Sequence, residues 1–499
     1  MKEKLMNLKI TKQGKIVLSV VIAIFMLIFI ITILYSNKFY PNTTVGGIDV
    51  SGMTLTEARE AVETDLKNHV LVIKGRNNAK YELKGKDIDL SAKYEDQLES
   101  CFKKTHGFFS FYKIMTGEDF DVAFDVSYNK DLLVQNLSQS FLVAGGGDQY
   151  QIEAPRSAYV EYDKKTKSGK IVKENLGNQL DVEKFYTYVE KALSTLSTKI
   201  NLESGDVYLK PQFYSKDEVI ANELKTYNNY LLKWLRFDMG KKHYEIIQPT
   251  DIKEWLVIGD DASVSVDKDK MSSWVEDFCL KYKTVGKTRS FKSHTGEILQ
   301  VSGGDYGWQI DYSQTVDQIY NAITAESKEA DVTAYLNKQS KENSKKLITK
   351  LEPIYKNKAY KMNYENPEED YNTQTYSEVD ISEQMVYVFQ NGQVVYSAKC
   401  VTGLPSDATR STKTGCWYIK DKKLEYTLTG ADYKTPTKYW IRITWTGTGY
   451  HYMNRSDWDK WTPDLYKTRG SHGCINLQLE DVKNIYNLVS LRDMVFIHD

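Results

Sequence analysis

Near its C-terminal end the chain reads Ser471-His472-Gly473-Cys474-Ile475-Asn476. A cysteine attacks carbonyl carbon as the thiolate. It therefore needs a proton acceptor, usually an imidazole, and amide N–H groups aimed at the oxyanion that forms. Gly473, lacking a Cβ, allows an unusual φ and close backbone approach beside Cys474. Two histidines are candidate acceptors. His472 shares a face with Cys474 only if the backbone is extended there. His451 lies 23 residues upstream, after Gly447 and Gly449, and reaches the thiol only through the fold. Spacing alone does not choose between them. The chemistry open to such a set is acyl transfer through a covalent thioester.

The other four cysteines, Cys101, Cys279, Cys400 and Cys416, are widely spaced and form no CxxC pair. With five in total, at least one stays unpaired within the chain. Cys400 and Cys416 read best as two isolated buried thiols, since a lone cysteine packs as a small apolar side chain. His69, His106, His243 and His294 are scattered and read as structural histidines. No metal framework is expected.

The elements that must hold Cys474 are short and alternating. Met385–Phe389, the Asn391-Gly392 pair and Val394–Ser397 predict a hairpin closed by an Asn-Gly turn. Cys416–Ile419, Glu425–Leu428 and Tyr439–Trp445 are further strand candidates, and Glu480–Leu488 alone has a helical pattern. A mostly β domain over 375–499 follows, long enough for its own core.

Gly449-Tyr450-His451 followed by Ser-His-Gly-Cys-Ile-Asn resembles the signature of the L,D-transpeptidase (YkuD-type) family. Val379-Asp380-Ile381-Ser382, Val401-Thr402-Gly403 and Lys438-Tyr439-Trp440 fit the same family. The resemblance implies Cys474 as nucleophile, His451 as its base, and amides around Gly473 and Cys474 as the oxyanion pocket. It leaves His472 to hold the loop or assist, and places Ser471, Asn476 and Tyr439 among substrate-binding positions; Arg455, in the differing stretch after His451, reads either as a holder of a stem carboxylate or as a solvated loop arginine. The implied reaction is a 3→3 peptidoglycan cross-link made through a cysteine thioester. A tetrapeptide stem is the donor, a stem amine the acceptor, terminal D-Ala is released, and no cofactor is needed. L,D-carboxypeptidase action, D-amino-acid exchange and a non-catalytic wall-binding scaffold are the alternatives. Departures are the missing proline in Ser411-Thr412-Lys413-Thr414-Gly415 and the sequence Tyr-Met-Asn-Arg-Ser-Asp-Trp after His451.

Elsewhere the chain reads as an anchor and spacers. Ile16–Tyr35 is a charge-free run of 20 residues, enough to cross a bilayer as a helix. Lys2, Lys4, Lys9, Lys12 and Lys15 precede it and only Lys38 follows closely, which puts the N-terminus in the cytoplasm and the catalytic domain outside at the cell wall. A secretory signal fits less well, because its apolar core is shorter and ends in small residues. Thr54 with Glu57 predicts a capped helix. Two stretches ending in Gly-x-Gln-apolar-Asp, at Asp181 and Asp311, each lead into an amphipathic helix and read as two copies of one α+β module. They resemble the peptidoglycan-binding modules of Gram-positive wall enzymes, as binders or as spacers.

The expected organisation is a tail (1–15), a transmembrane helix (16–35), two modules (40–215 and 216–336), a polar linker (337–374) and the catalytic domain (375–499). Lys+Arg 66 against Asp+Glu 67 gives no polycationic surface for nucleic acid, and 41% hydrophobic residues exclude general disorder.

Overall fold

In the computed structural model, residues 11–106, 112–338, 345–363, 366–430 and 434–499 are described. Most of the tail expected at 1–15, through residue 10, lies outside them. The chain divides into two compact units, one of residues 1–159 and 171–221, the other of 160–170 and 222–499.

The first unit begins with a helix, Lys12–Leu34, of 23 residues with mean hydropathy 3.3 and no buried side chain. By length and composition it can cross a membrane. Beyond it, helix Leu55–Asn68 starts at a complete capping box, in which Thr54 accepts from the Glu57 amide and Glu57 returns the bond to the Thr54 amide. Strand Val70–Lys74 pairs antiparallel with Lys80–Lys84 and parallel with Lys199–Asn201. Helix Val182–Ser194, capped by Asp181, buries Phe185 and Val189 in the same core as Leu71 and Ile73.

In the second unit, Asp311 caps helix Tyr312–Thr324 as Asp181 caps its counterpart. Strand Trp234–Gly240 pairs antiparallel with His243–Ile247 and parallel with Ile348–Leu351, while Tyr355–Asn357 pairs with Gln309–Ile310. Those last strands correct the linker expected at 337–374. Its polar composition concealed short strands whose partners lie far back in the chain, so part of the segment completes the preceding module. Residues 160–170 group with the second unit, where the Val160 amide donates to the buried carboxylate of Glu223 and the Gly169 amide to Asn228.

The C-terminal domain has two sheets. Strands β1 (Tyr376–Asp380), β2 (Met385–Gln390), β3 (Gln393–Lys399), β4 (Gly415–Tyr418) and, from the chain end, β9 (Met494–His498) form one in the order β3-β2-β1-β9-β4. Strands β5 (Asp421–Thr429), β6 (Lys434–Arg442), β7 (Gly449–Tyr452) and β8 (Ile475–Leu477) form the other, in sequence order. Asn391 and Gly392 both take positive φ, 50° and 70°, as the β2–β3 turn requires. Val386, Val388, Ile441, Ile475, Val495 and helix Leu479–Leu488 share one core.

The preceding module packs onto this domain. A Cβ at Gly304 would stand 2.1 Å from the Cys416 carbonyl, so only glycine allows that approach. Arg289 and Asp370, both fully buried, pair at 2.7 Å. The buried carboxylate of Glu378 on β1 accepts from the His294 amide (2.8 Å) and lies within hydrogen-bond distance of the His294 ring (3.0 Å) and His498 Nε2 on β9 (2.9 Å).

Candidate active site

Strands β7 and β8 run parallel with Tyr450 opposite Ile475 and His451 opposite Asn476. Cys474 immediately precedes β8, so the register alone brings thiol and imidazole to one end of the sheet. Side chains two residues apart share a face of a strand, which sets Cys474 and Asn476 on the side of His451. These three line one cleft of about 540 Å³, together with Ser471 and His472. His451 is 1% exposed, whereas His472 is exposed on the loop.

The two candidate bases are thereby distinguished. His451 Nδ1 is 2.8 Å from the Tyr452 carbonyl, which can only accept, so the proton sits on Nδ1 and Nε2 keeps its lone pair. Thr437 Oγ1 donates to the same carbonyl at 2.6 Å and fixes its direction. Burial pushes the imidazole down to about 4, against the upward pull of the Tyr452 carbonyl. Burial pushes the Cys474 thiol up to about 11, with the Gly449 amide and Arg442 pulling the other way. At neutral pH both groups are therefore uncharged. The thiol points at the Gly447 carbonyl, 3.4 Å away, rather than at His451. Proton transfer between the two would require a rotation about χ1 first.

The nucleophile loop is clamped on both sides. Ser471 Oγ donates to the Cys474 carbonyl at 2.6 Å and accepts from the Gly473 amide at 3.0 Å. That amide is therefore occupied, in contrast to its expected place in an oxyanion pocket. Thr412 Oγ1 accepts from the Gly403 amide and donates to the Gly473 carbonyl, both within 2.9 Å. A Cβ on Gly403 would lie 2.0 Å from the Arg410 carbonyl. Gly473 itself has φ +105°, a conformation open to glycine alone. Asn476 is held through its backbone to Val401, and its buried Oδ1 has no partner among the described residues.

Two expected substrate contacts fall elsewhere. Tyr439, at φ +53°, packs its ring 5.5 Å from Tyr486 on the C-terminal helix. Arg455 lines the cleft but grips Asp457 with two hydrogen bonds of 3.0 Å, which engage its Nε and Nη2 inside the protein. Thr437, Thr412, Gly403 and Arg410 went unread as site residues, although Gly403 stands in a segment that carried the resemblance. All five cysteines are free thiols, and burial pushes Cys416 up to about 11.

Residues 374–497 match the family model of the L,D-transpeptidase catalytic domain, and residues 221–331 that of the "Putative peptidoglycan binding domain". By its C-terminal domain the chain belongs to the L,D-transpeptidase family. The isolated catalytic domain of the Enterococcus faecium L,D-transpeptidase is 36% identical, over 25% of this chain and 96% of that one, with TM-score 0.22. A mutant of the E. faecium L,D-transpeptidase is 26% identical, over 56% of this chain and 100% of that one, with TM-score 0.36. The "Putative L,D-transpeptidase YciB" of Bacillus subtilis (strain 168) is 24% identical over 115 residues, which are 22% of this chain and 58% of that relative. The chain thus spans little more than half of that relative's length.

Proposed function

We propose that the protein cross-links peptidoglycan stems outside the cell by two acyl transfers through Cys474, held to the membrane by the Lys12–Leu34 helix. The observation carrying this reading is the geometry of His451, whose Nδ1–H is tied to the Tyr452 carbonyl and whose basic Nε2 belongs to the same cleft as the thiol. His451 Nε2 takes the thiol proton as sulfur attacks the carbonyl of the third residue of a tetrapeptide stem. The Cys474 amide, and the Gly473 amide once Ser471 releases it, receive the oxyanion. Collapse breaks the bond to terminal D-Ala, whose nitrogen leaves with the proton from His451, and a thioester remains. A stem amine then attacks the thioester, its proton passes to Nε2, and the sulfur leaves and is reprotonated. The product is a 3→3 amide, and no nucleotide is consumed because one acyl bond replaces another.

His472, exposed on the nucleophile loop, assists there, and Ser471 and Asn476 shape the donor side of the cleft. The modules either bind glycan or lift the catalytic domain toward it. The test is mass spectrometry of the full chain in detergent, wild type and Cys474→Ala, with tetrapeptide muropeptides. Cross-linked dimers lacking one D-Ala, formed by wild type alone, are expected. Tripeptide without dimers would make it a carboxypeptidase, and no change with either protein would favour the scaffold.

A further inference from the structure

The cleft that holds the thiol carries more positive charge in its lining than its own fold consumes. Arg410, Arg455, Arg469 and Asp457 are its arginines and its acid, three positive charges against one negative. Asp457 is nearly buried and fully engaged: Oδ1 takes Arg455 Nε, and Oδ2 takes both Arg455 Nη2 and Arg469 Nε, the last at 2.8 Å. Arg455 commits Nε and Nη2 to this, Nη2 also donating to the Arg469 carbonyl, and its side chain is only 12% exposed. Arg410 Nη2 holds the Gly470 carbonyl at 2.9 Å, and its buried Nε has no partner among the described residues. Arg469 differs from both. Only its Nε is bound to Asp457, and its side chain is 62% exposed. The ion pair with Asp457 is made through Nε alone and leaves the two terminal amino groups as a fork, the shape that binds a carboxylate through two hydrogen bonds. The uncharged thiol and imidazole add nothing to offset this excess.

We propose that Arg469, backed by Arg410, is the specificity-determining residue of the cleft and receives a carboxylate of the donor peptide. This rests on the reading that Cys474 is acylated by a peptide stem. Arg469 stands five residues before Cys474, and the clamped loop between them fixes their spacing. The carboxylate belongs to the residue that leaves, the C-terminal carboxylate one residue beyond the carbonyl under attack. A side-chain carboxylate on the third stem residue offers the same chemistry, and the donor series separates the two.

The test uses the full chain in detergent, wild type, Arg469→Gln and Arg469→Lys. Donors are tetrapeptides with a free C-terminal carboxylate or its amide, each with and without a side-chain carboxylate on the third residue. Wild type should favour the free acid in kcat/KM by about 10- to 100-fold, the range for a hydrogen-bonded charge pair. In Arg469→Gln that preference should collapse, and Arg469→Lys should restore part of it. A preference that follows the side-chain carboxylate and is lost in Arg469→Gln keeps the role of Arg469 and changes the source. A free-acid preference equal in wild type and Arg469→Gln overturns the proposal, as does a wild type indifferent to both carboxylates. A second readout needs no turnover: protection of Cys474 from iodoacetamide by N-acetyl-D-alanine. Protection lost in Arg469→Gln, with no stem processed, would sink the proposed function but keep the carboxylate site. Equal protection of both proteins would sink the site.

Discussion

At the scale of single residues, the reactive pair rests uncharged, with the imidazole lowered to about 4 and the thiol raised to about 11 by burial. Only neutral His451 can accept the proton, so activity falls when acid protonates it. The acid limb of kcat/KM for thioester formation is expected near pH 4, measured by rapid quench and mass spectrometry. A limb near the ordinary imidazole value of about 6.5 would mean that burial does not lower His451. Gly473 gives a second expectation. The nearest atom to a Cβ there is 3.6 Å away, so space is not the obstacle; φ +105° is. Gly473→Ala should cost about 1–3 kcal/mol in thermal or denaturant unfolding and should slow acylation, because the strain falls on the loop that carries the nucleophile.

At the scale of elements, Glu378 joins the preceding module's His294 to β1 and β9. Burial lowers the pKa of His498, but the Glu378 carboxylate outweighs it and the net shift is upward; Asp380 and the Asp499 carbonyl act in the same direction. A histidine whose pKa is raised on folding stabilises fully below its unfolded value and loses that contribution as pH climbs through the folded one. Melting temperature should therefore carry a downward slope above about pH 6.5, and Glu378→Gln should flatten it. An unchanged slope in that variant would remove Glu378 from the account. These contacts also show what could be read from sequence. Capping by Thr54, Asp181 and Asp311, the Asn391-Gly392 turn and the Cys474 loop are written in neighbouring residues, and they were legible. The strand Ile348–Leu351 was not, because its character comes from pairing with Trp234–Gly240 more than a hundred residues earlier. Arg455 and Tyr439 were placed by type, but their partners Asp457 and Tyr486 decide their roles, and only the fold supplies those.

At the scale of the whole molecule, the apolar Lys12–Leu34 helix is where catalysis and location meet. The full chain should sediment with membranes and resist carbonate extraction, while a chain lacking residues 1–36 should appear in the soluble fraction; release of the full chain by carbonate would reduce the helix to a peripheral contact. The second unit also reclaims residues 160–170 from within the sequence of the first. As the chain is synthesised in order, that hairpin emerges long before Glu223 and Asn228, and the first unit cannot close until the intervening helix and strand have followed. A gene fragment opening at residue 222 would leave Glu223 without the Val160 amide it holds. A cut at residue 222 therefore runs through the second unit and not between the two.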